Sequence, residues 1–159
     1  MLSLAPVSSL LVELEAFGTA VAQLLAGENI EWQWRPAAGE WSITEVVCHL
    51  RDVEHEVHQV RFRDIIAAEN VFLSGVTADD WILERQYQLQ NGQLALTDFL
   101  AARRQTLVLL ENVAENGWDR RGQHAFFGPT SLHELLNLAV QHDKAHFDQL
   151  VVLRHQVIK

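Results

Sequence analysis

A single cysteine, Cys48, cannot close an internal disulfide, so nothing in the sequence points to an oxidising compartment. Three prolines and eight glycines are too few for a loop-rich all-β protein or a collagen-like repeat. No run reaches the roughly 18–20 uninterrupted apolar residues of a membrane span. No Lys or Arg precedes an apolar run within residues 1–9, as a secretory signal would require. Basic side chains are scarce as well: twelve against twenty-one acidic ones give a formal charge of −9. A surface of that sign repels phosphate and argues against sequence-independent nucleic-acid binding. The expectation is a cytoplasmic protein that engages neither membrane nor nucleic acid.

What remains is ordinary globular material: 159 residues, 48% hydrophobic and 21% charged. That is enough for one domain, 1–159, with a real core. The unusual feature is eight histidines, and which of them face inward becomes the question.

Four segments carry a 3.6-residue apolar period and none shows sustained strand alternation. The first runs from about Ser8 to Ala26, with Leu10, Leu14, Phe17, Val21 and Leu24 on one stripe and Gly27 ending it. The second opens at Ser42, where Glu45 completes a capping box, and extends to about Glu69. The third spans about Thr97 to Asn116-Gly117, a left-handed C-terminal cap. The fourth begins with a second capping box, Ser131 and Glu134, and runs to about His155. Residues 27–41 hold Trp32, Trp34 and Trp41 and read as an aromatic lid over one end of the bundle. The long connection 70–96 has room for a short helix within Thr77–Gln90 before the Asn91-Gly92 turn. The architecture expected is an all-α four-helix bundle.

Polar residues interrupt the apolar faces. On the fourth helix Leu132, Leu135, Leu136, Ala139, Leu150 and Leu153 define an inward arc, yet Asp143 and His146 fall inside it and His142 at its edge. Burying an unpartnered polar group costs about 2–7 kcal/mol by transfer estimates, so something must offset it. His142 and His146 are four apart, neighbours on one face, which suits two imidazole nitrogens on one metal. A third ligand has to come from another helix. The second helix has a core stripe of Ile43, Val46, Val47, Leu50, Val53, Val57, Val60 and Ile65, with His49 on its margin. Glu54 and Arg61 also project inside that arc, as satisfied buried charges or as the wall of a polar pocket. His55 and His58 read as solvated, His133 and His155 as surface, and Cys48 as a packed thiol. His124 stays open as a residue at a pocket mouth. Matching the depths of His49 and His146 favours antiparallel second and fourth helices, for which the 70–96 connection supplies a crossover.

These pieces resemble the DinB/YfiT-like family of metalloenzymes. The resemblance runs from about Trp32 to Arg154. It rests on Trp41-Ser42-Ile43, Glu45, Cys48-His49-Leu50, Asp52, Glu54 and Arg61, then on Trp118 to His124, Gly128, His142-Asp143 and His146. It implies a four-helix bundle of up-down-down-up topology. It also implies a divalent metal, zinc or nickel, held by His49, His142 and His146. The family includes enzymes that use low-molecular-weight thiols such as mycothiol or bacillithiol, and metal-dependent hydrolases. Three readings follow. In the first, a cofactor thiol attacks a small electrophilic substrate, with Arg61, Glu54 or His124 holding polar groups. In the second, metal-bound water attacks an amide or ester, with Glu56 or Asp143 as general base. The third is a non-catalytic metal- or ligand-binding protein, which allows a homodimer through its outer faces.

Overall fold

The computed structural model describes residues 4–156. Three helices and one two-part helix carry most of the chain. They are α1 (Val7–Leu24), α2 (Ile43–Val53) continuing into α3 (Gln59–Ala67), α5 (Gly92–Glu111) and α6 (Leu132–Gln156); α4 (Trp81–Glu84) is a single turn. Both expected capping boxes are present. Ser42 Oγ accepts from the Glu45 N–H at 3.2 Å while Glu45 Oε2 accepts from the Ser42 N–H at 2.8 Å. Ser131 Oγ accepts from the Glu134 N–H at 3.1 Å and Glu134 Oε2 returns the contact at 2.6 Å. These reciprocal bonds satisfy backbone donors that the first helical turn leaves orphaned.

Between α2 and α3 the helix passes through a π-helical turn, Glu54–His58. The wider turn takes in an extra residue, so side chains beyond it are rotated relative to a continuous α-helix. That rotation corrects the expected stripe. Val60 is turned out to solvent, whereas Gln59 and Phe62 are buried. The helix ends at Ala67.

The third long helix also differs from expectation. Asn91 is its N-cap, accepting from the Leu94 N–H at 3.0 Å, and Gly92 is its first residue. The Asn91-Gly92 pair thus starts a helix where a turn was expected. The helix stops at Glu111, and a 3₁₀ turn over Glu115–Asp119 then buries Trp118, so Asn116-Gly117 is not the cap. The 70–96 connection does carry short helical turns, at Ala78–Asp80, α4 and Tyr87–Leu89.

A small sheet was not expected. β1 (Phe72–Leu73) runs parallel to β2 (Arg121–His124), which pairs antiparallel with β3 (Gly128–Ser131). The hairpin between β2 and β3 carries Phe126 and Phe127 at its tip.

The core falls into two apolar groups. One gathers Phe17, Val21, Ile43, Val47, Leu50, Phe99, Leu150 and Leu153. The other gathers Leu10, Leu14, Phe62, Ile65, Leu110, Leu132, Leu136 and Ala139. α1 packs chiefly on α6, and α2 on α5. Among the described helices α1 alone is long and apolar enough to cross a membrane by length and composition, although Glu13 and Glu15 interrupt it. Its Leu10, Leu14, Phe17 and Val21 are buried in the bundle.

Between the two apolar groups lies a buried charge cluster. Arg103 of α5 donates to both oxygens of Glu54, at 3.0 and 2.8 Å, and to both oxygens of Asp143, at 2.7 and 3.0 Å. Thr106 Oγ1 adds a 2.5 Å bond to Glu54. Asp143 and Glu54 are therefore satisfied structural charges, and this is what offsets their burial. Burial raises the Glu54 carboxyl, but the Arg103 charge and hydrogen bonds outweigh it and hold the group below its usual range. Asp143 is pushed up to about 6, chiefly by burial, with Arg103 pulling the other way and Glu54 adding repulsion.

Candidate metal centre

Three imidazoles converge between α2 and α6. His49 sits on the buried side of α2, and His142 and His146 one turn apart on α6. One nitrogen from each lies within 4.8 Å of the other two. His49 Nε2 is 3.1 Å from His142 Nε2. Two nitrogens on a tetrahedral zinc, each about 2.0–2.1 Å from it, stand roughly 3.3 Å apart, so this pair has the spacing of co-ligands. His146 has its Nδ1 2.9 Å from Gln149 Oε1. With Nδ1–H donating to that oxygen, the Nε2 lone pair is free to point at an ion. Nδ1 of His49 and of His142 are buried without a partner of hydrogen-bond geometry.

Protonation suits ligation. Burial, reinforced by the His146 charge and opposed by the Ala78 backbone, lowers His49 to about 3. His142 is held far below its ordinary value by burial and then by His58, His146 and His49. His146 is lowered by burial against the opposing effects of Gln149 and Asp79. All three are neutral at pH 7, the form in which an imidazole donates to a metal.

The cluster forms one wall of a cavity of about 430 Å³. Trp41 closes one side, stacked on His146 with ring centroids 5.8 Å apart and planes at 14°. Expected to be part of an outer lid, Trp41 is instead a wall of this cavity. Val53, Val57, Phe62, Leu135 and Leu138 make the apolar lining, and Phe127 reaches over from the hairpin.

His58 is the residue that the sequence reading misplaced. Expected in solvent, it lines the cavity, its ring 5.3 Å from that of His142 and its Nε2 buried without a partner. Burial lowers it to about 4 despite the Glu54 charge. A reading at 100° per residue leaves it just beyond the margin of the apolar stripe, and the π-helical turn that ends at His58 shifts that register. Asp79 also lines the cavity and had not been singled out.

The two candidate general bases are elsewhere. Glu56 is held by Arg85, at 2.6 and 3.0 Å, outside the cavity lining. Asp143 points into the Arg103 cluster. Glu54 does the same and is no pocket wall. His124 lies behind Phe127, ring centroids 4.7 Å apart, its Nδ1 accepting from the Phe126 N–H at 3.1 Å. It does not line the cavity. Arg61 does. Cys48 is a packed thiol, as expected, 3.7 Å from Gln90 Oε1 and pushed up to about 11 by burial.

Comparison with known proteins adds two findings. The sequence profile of the DinB superfamily matches residues 15–150. The fold is similar to that of YfiT from Bacillus subtilis, described as a probable metal-dependent hydrolase with an unusual four-helix bundle topology. That similarity has a TM-score of 0.83 at 17% identity and covers 98% of this chain and 91% of that one. Among curated proteins no sequence match is found.

Proposed function

The chain belongs to the DinB superfamily, and on that premise we propose that it is a metal-dependent enzyme that presents a low-molecular-weight thiol to a small electrophile. The observation that carries this reading is the convergence of three neutral imidazoles on one cavity. His49, His142 and His146 would hold a divalent ion, zinc or nickel. Bound there with a coordination position open, such an ion supplies Lewis acidity that lowers the pKa of a thiol or water beside it.

The protein's own groups do the rest. Gln149 fixes the His146 tautomer. Trp41 stacks over His146 and keeps water from that side. The apolar lining and Phe127 receive the electrophile. A thiol is favoured over water because neither Glu56 nor Asp143 reaches the cavity, and the one carboxylate in its lining, Asp79, exerts its charge on His146. In the transfer the thiol proton passes to solvent, a sulfur–carbon bond forms, and the electron pair of the broken bond leaves with the departing group of the electrophile.

Hydrolysis is the second reading, since the structural relative is described as a probable metal-dependent hydrolase; Asp79 is then the carboxylate to examine. For the bundle we favour up-down-down-up topology. In support, the first apolar group joins the end of α1 to the starts of α2 and α5 and the end of α6, and the second joins their opposite ends.

The test is turnover. Zinc- or nickel-loaded protein is incubated with bacillithiol, mycothiol or glutathione and monochlorobimane, beside a His49→Ala control. Thiol-dependent conjugation above that control is expected. Its absence, together with thiol-independent cleavage of p-nitrophenyl acetate, would replace transfer by hydrolysis.

A further inference from the structure

One cation faces the cavity without an anion to match it. Arg61 leaves α3 three residues beyond His58 and lines the same cavity. One guanidinium nitrogen donates to the Ser74 carbonyl oxygen at 2.9 Å. Among the described residues no carboxylate stands within ion-pair distance of it. By contrast, Arg51 has one such carboxylate, and Arg85 and Arg103 have two each. The difference shows in the electrostatics: burial pulls Arg61 below its ordinary value, whereas carboxylates hold the other three above it. A guanidinium offers five N–H donors, and the Ser74 carbonyl takes only one.

His58 adds a second vacancy in the hydrogen bonding. Its Nε2 is buried and unpartnered, and the i, i+3 spacing sets it on the same face as Arg61. The one carboxylate in the lining, Asp79, exerts its charge on His146. Arg61 thus brings unmatched donors to the lining, and His58 can add one in its Nε2–H tautomer, while Phe62, Phe127 and Leu138 give an apolar wall.

We propose that Arg61 and His58 receive the carboxylate of an amphipathic small molecule whose apolar body lies along Phe62, Phe127 and Leu138. This rests on the cavity being the substrate site of the proposed function, and it names the ligand class. A carboxylate fits better than a phosphate. A single guanidinium balances one negative charge, its planar fork matches two oxygens, and Asp79 with a chain of charge −9 disfavours a dianion. The cavity volume lies within the range of about 300–1,000 Å³ typical of small-ligand sites.

The probes are 3-phenylpropionate and its uncharged counterpart 3-phenylpropanamide, titrated calorimetrically into zinc-loaded and chelator-treated protein. The carboxylate is expected to bind about tenfold or more tightly than the amide in both metal states, the scale of a charged hydrogen bond. Arg61→Gln should erase that preference and leave amide affinity unchanged. Equal affinities in the unaltered chain, or a preference that survives Arg61→Gln, would overturn the proposal. A preference that vanishes with chelator would also overturn it, by placing the carboxylate on the ion. Should the variant not fold, the unaltered chain decides: the Arg61 Nε–H resonance is expected to shift with the carboxylate and not with the amide, and no shift overturns the proposal. Metal content, read by mass spectrometry, separates the two ideas. Protein that takes up no zinc on loading yet prefers the carboxylate defeats the metal reading alone, and zinc-loaded protein indifferent to it defeats this one alone.

Discussion

His49 Nε2 and His142 Nε2 face each other across the bundle at 3.1 Å, hydrogen-bond distance and also close to the span between two ligands of one ion. If the contact were only a hydrogen bond, one ring would donate through Nε2–H and the other would accept, which uses both Nε2 atoms. His146, with Nδ1 engaged by Gln149, brings a third nitrogen within 4.8 Å of the other two, a set that one cation satisfies together.

The first prediction follows. Untagged protein should carry close to one divalent ion per chain by mass spectrometry, and His142→Ala should carry none. Saturating metal stabilises only the folded form, so at a hundred times Kd the midpoint should rise by roughly 5–10 °C. An identical melting curve with and without chelator would count against the site.

Gln149 is not one of the three candidate ligands, yet it sets which His146 nitrogen is free. Partners of this kind typically contribute about 10–100-fold to metal affinity. Gln149→Ala should weaken zinc binding by that order in competition with a chromogenic chelator, without changing the stoichiometry. Full retention of affinity would mean that His146 is oriented by Trp41 packing alone.

Much of this was legible in the sequence because the signals were local. Capping boxes at Ser42 and Ser131 fixed two helix starts, and the i, i+4 pair His142/His146 needed only helical geometry to share a face. What was hidden depended on partners far away in the chain. Asp143 looked like a candidate base until Arg103, forty residues distant, took both of its oxygens. His58 looked solvated because it falls just beyond the margin of the apolar stripe at 100° per residue, a register that the π-helical turn shifts. The three strands were too short, two to four residues each, to show alternation.

Arg103 should be the most sensitive single position outside the metal centre. It neutralises Glu54 and Asp143 together, all three side chains being almost fully buried. Arg103→Met fills similar space but strands two carboxylates, and breaking such a pair costs about 3–5 kcal/mol. Urea unfolding should show a loss of that size, larger than for Glu54→Gln, which leaves the Asp143 contact intact. Equal losses for the two variants would mean that Arg103 serves only one carboxylate.

Acid should loosen the metal-free protein well before ordinary carboxylate titration. His49 and His58 are held near 3 and 4 by burial, whereas in the unfolded chain they take up protons near 6.5. Below that value the unfolded state binds more protons than the native state, so each group's contribution, complete above about pH 6.5, declines by up to about 1.4 kcal/mol per pH unit. Asp143, raised to about 6, acts in the opposite sense: its native form gains a proton first, which offsets part of the loss between its folded and unfolded values. With His142 and His146 lowered as well, the imidazoles outnumber it, and stability should fall steadily from pH 6.5 to 4.5. Chemical denaturation at half-unit pH steps would reveal this slope, and His58→Phe should make it shallower. A flat profile would indicate that the imidazoles are already solvated in the native state.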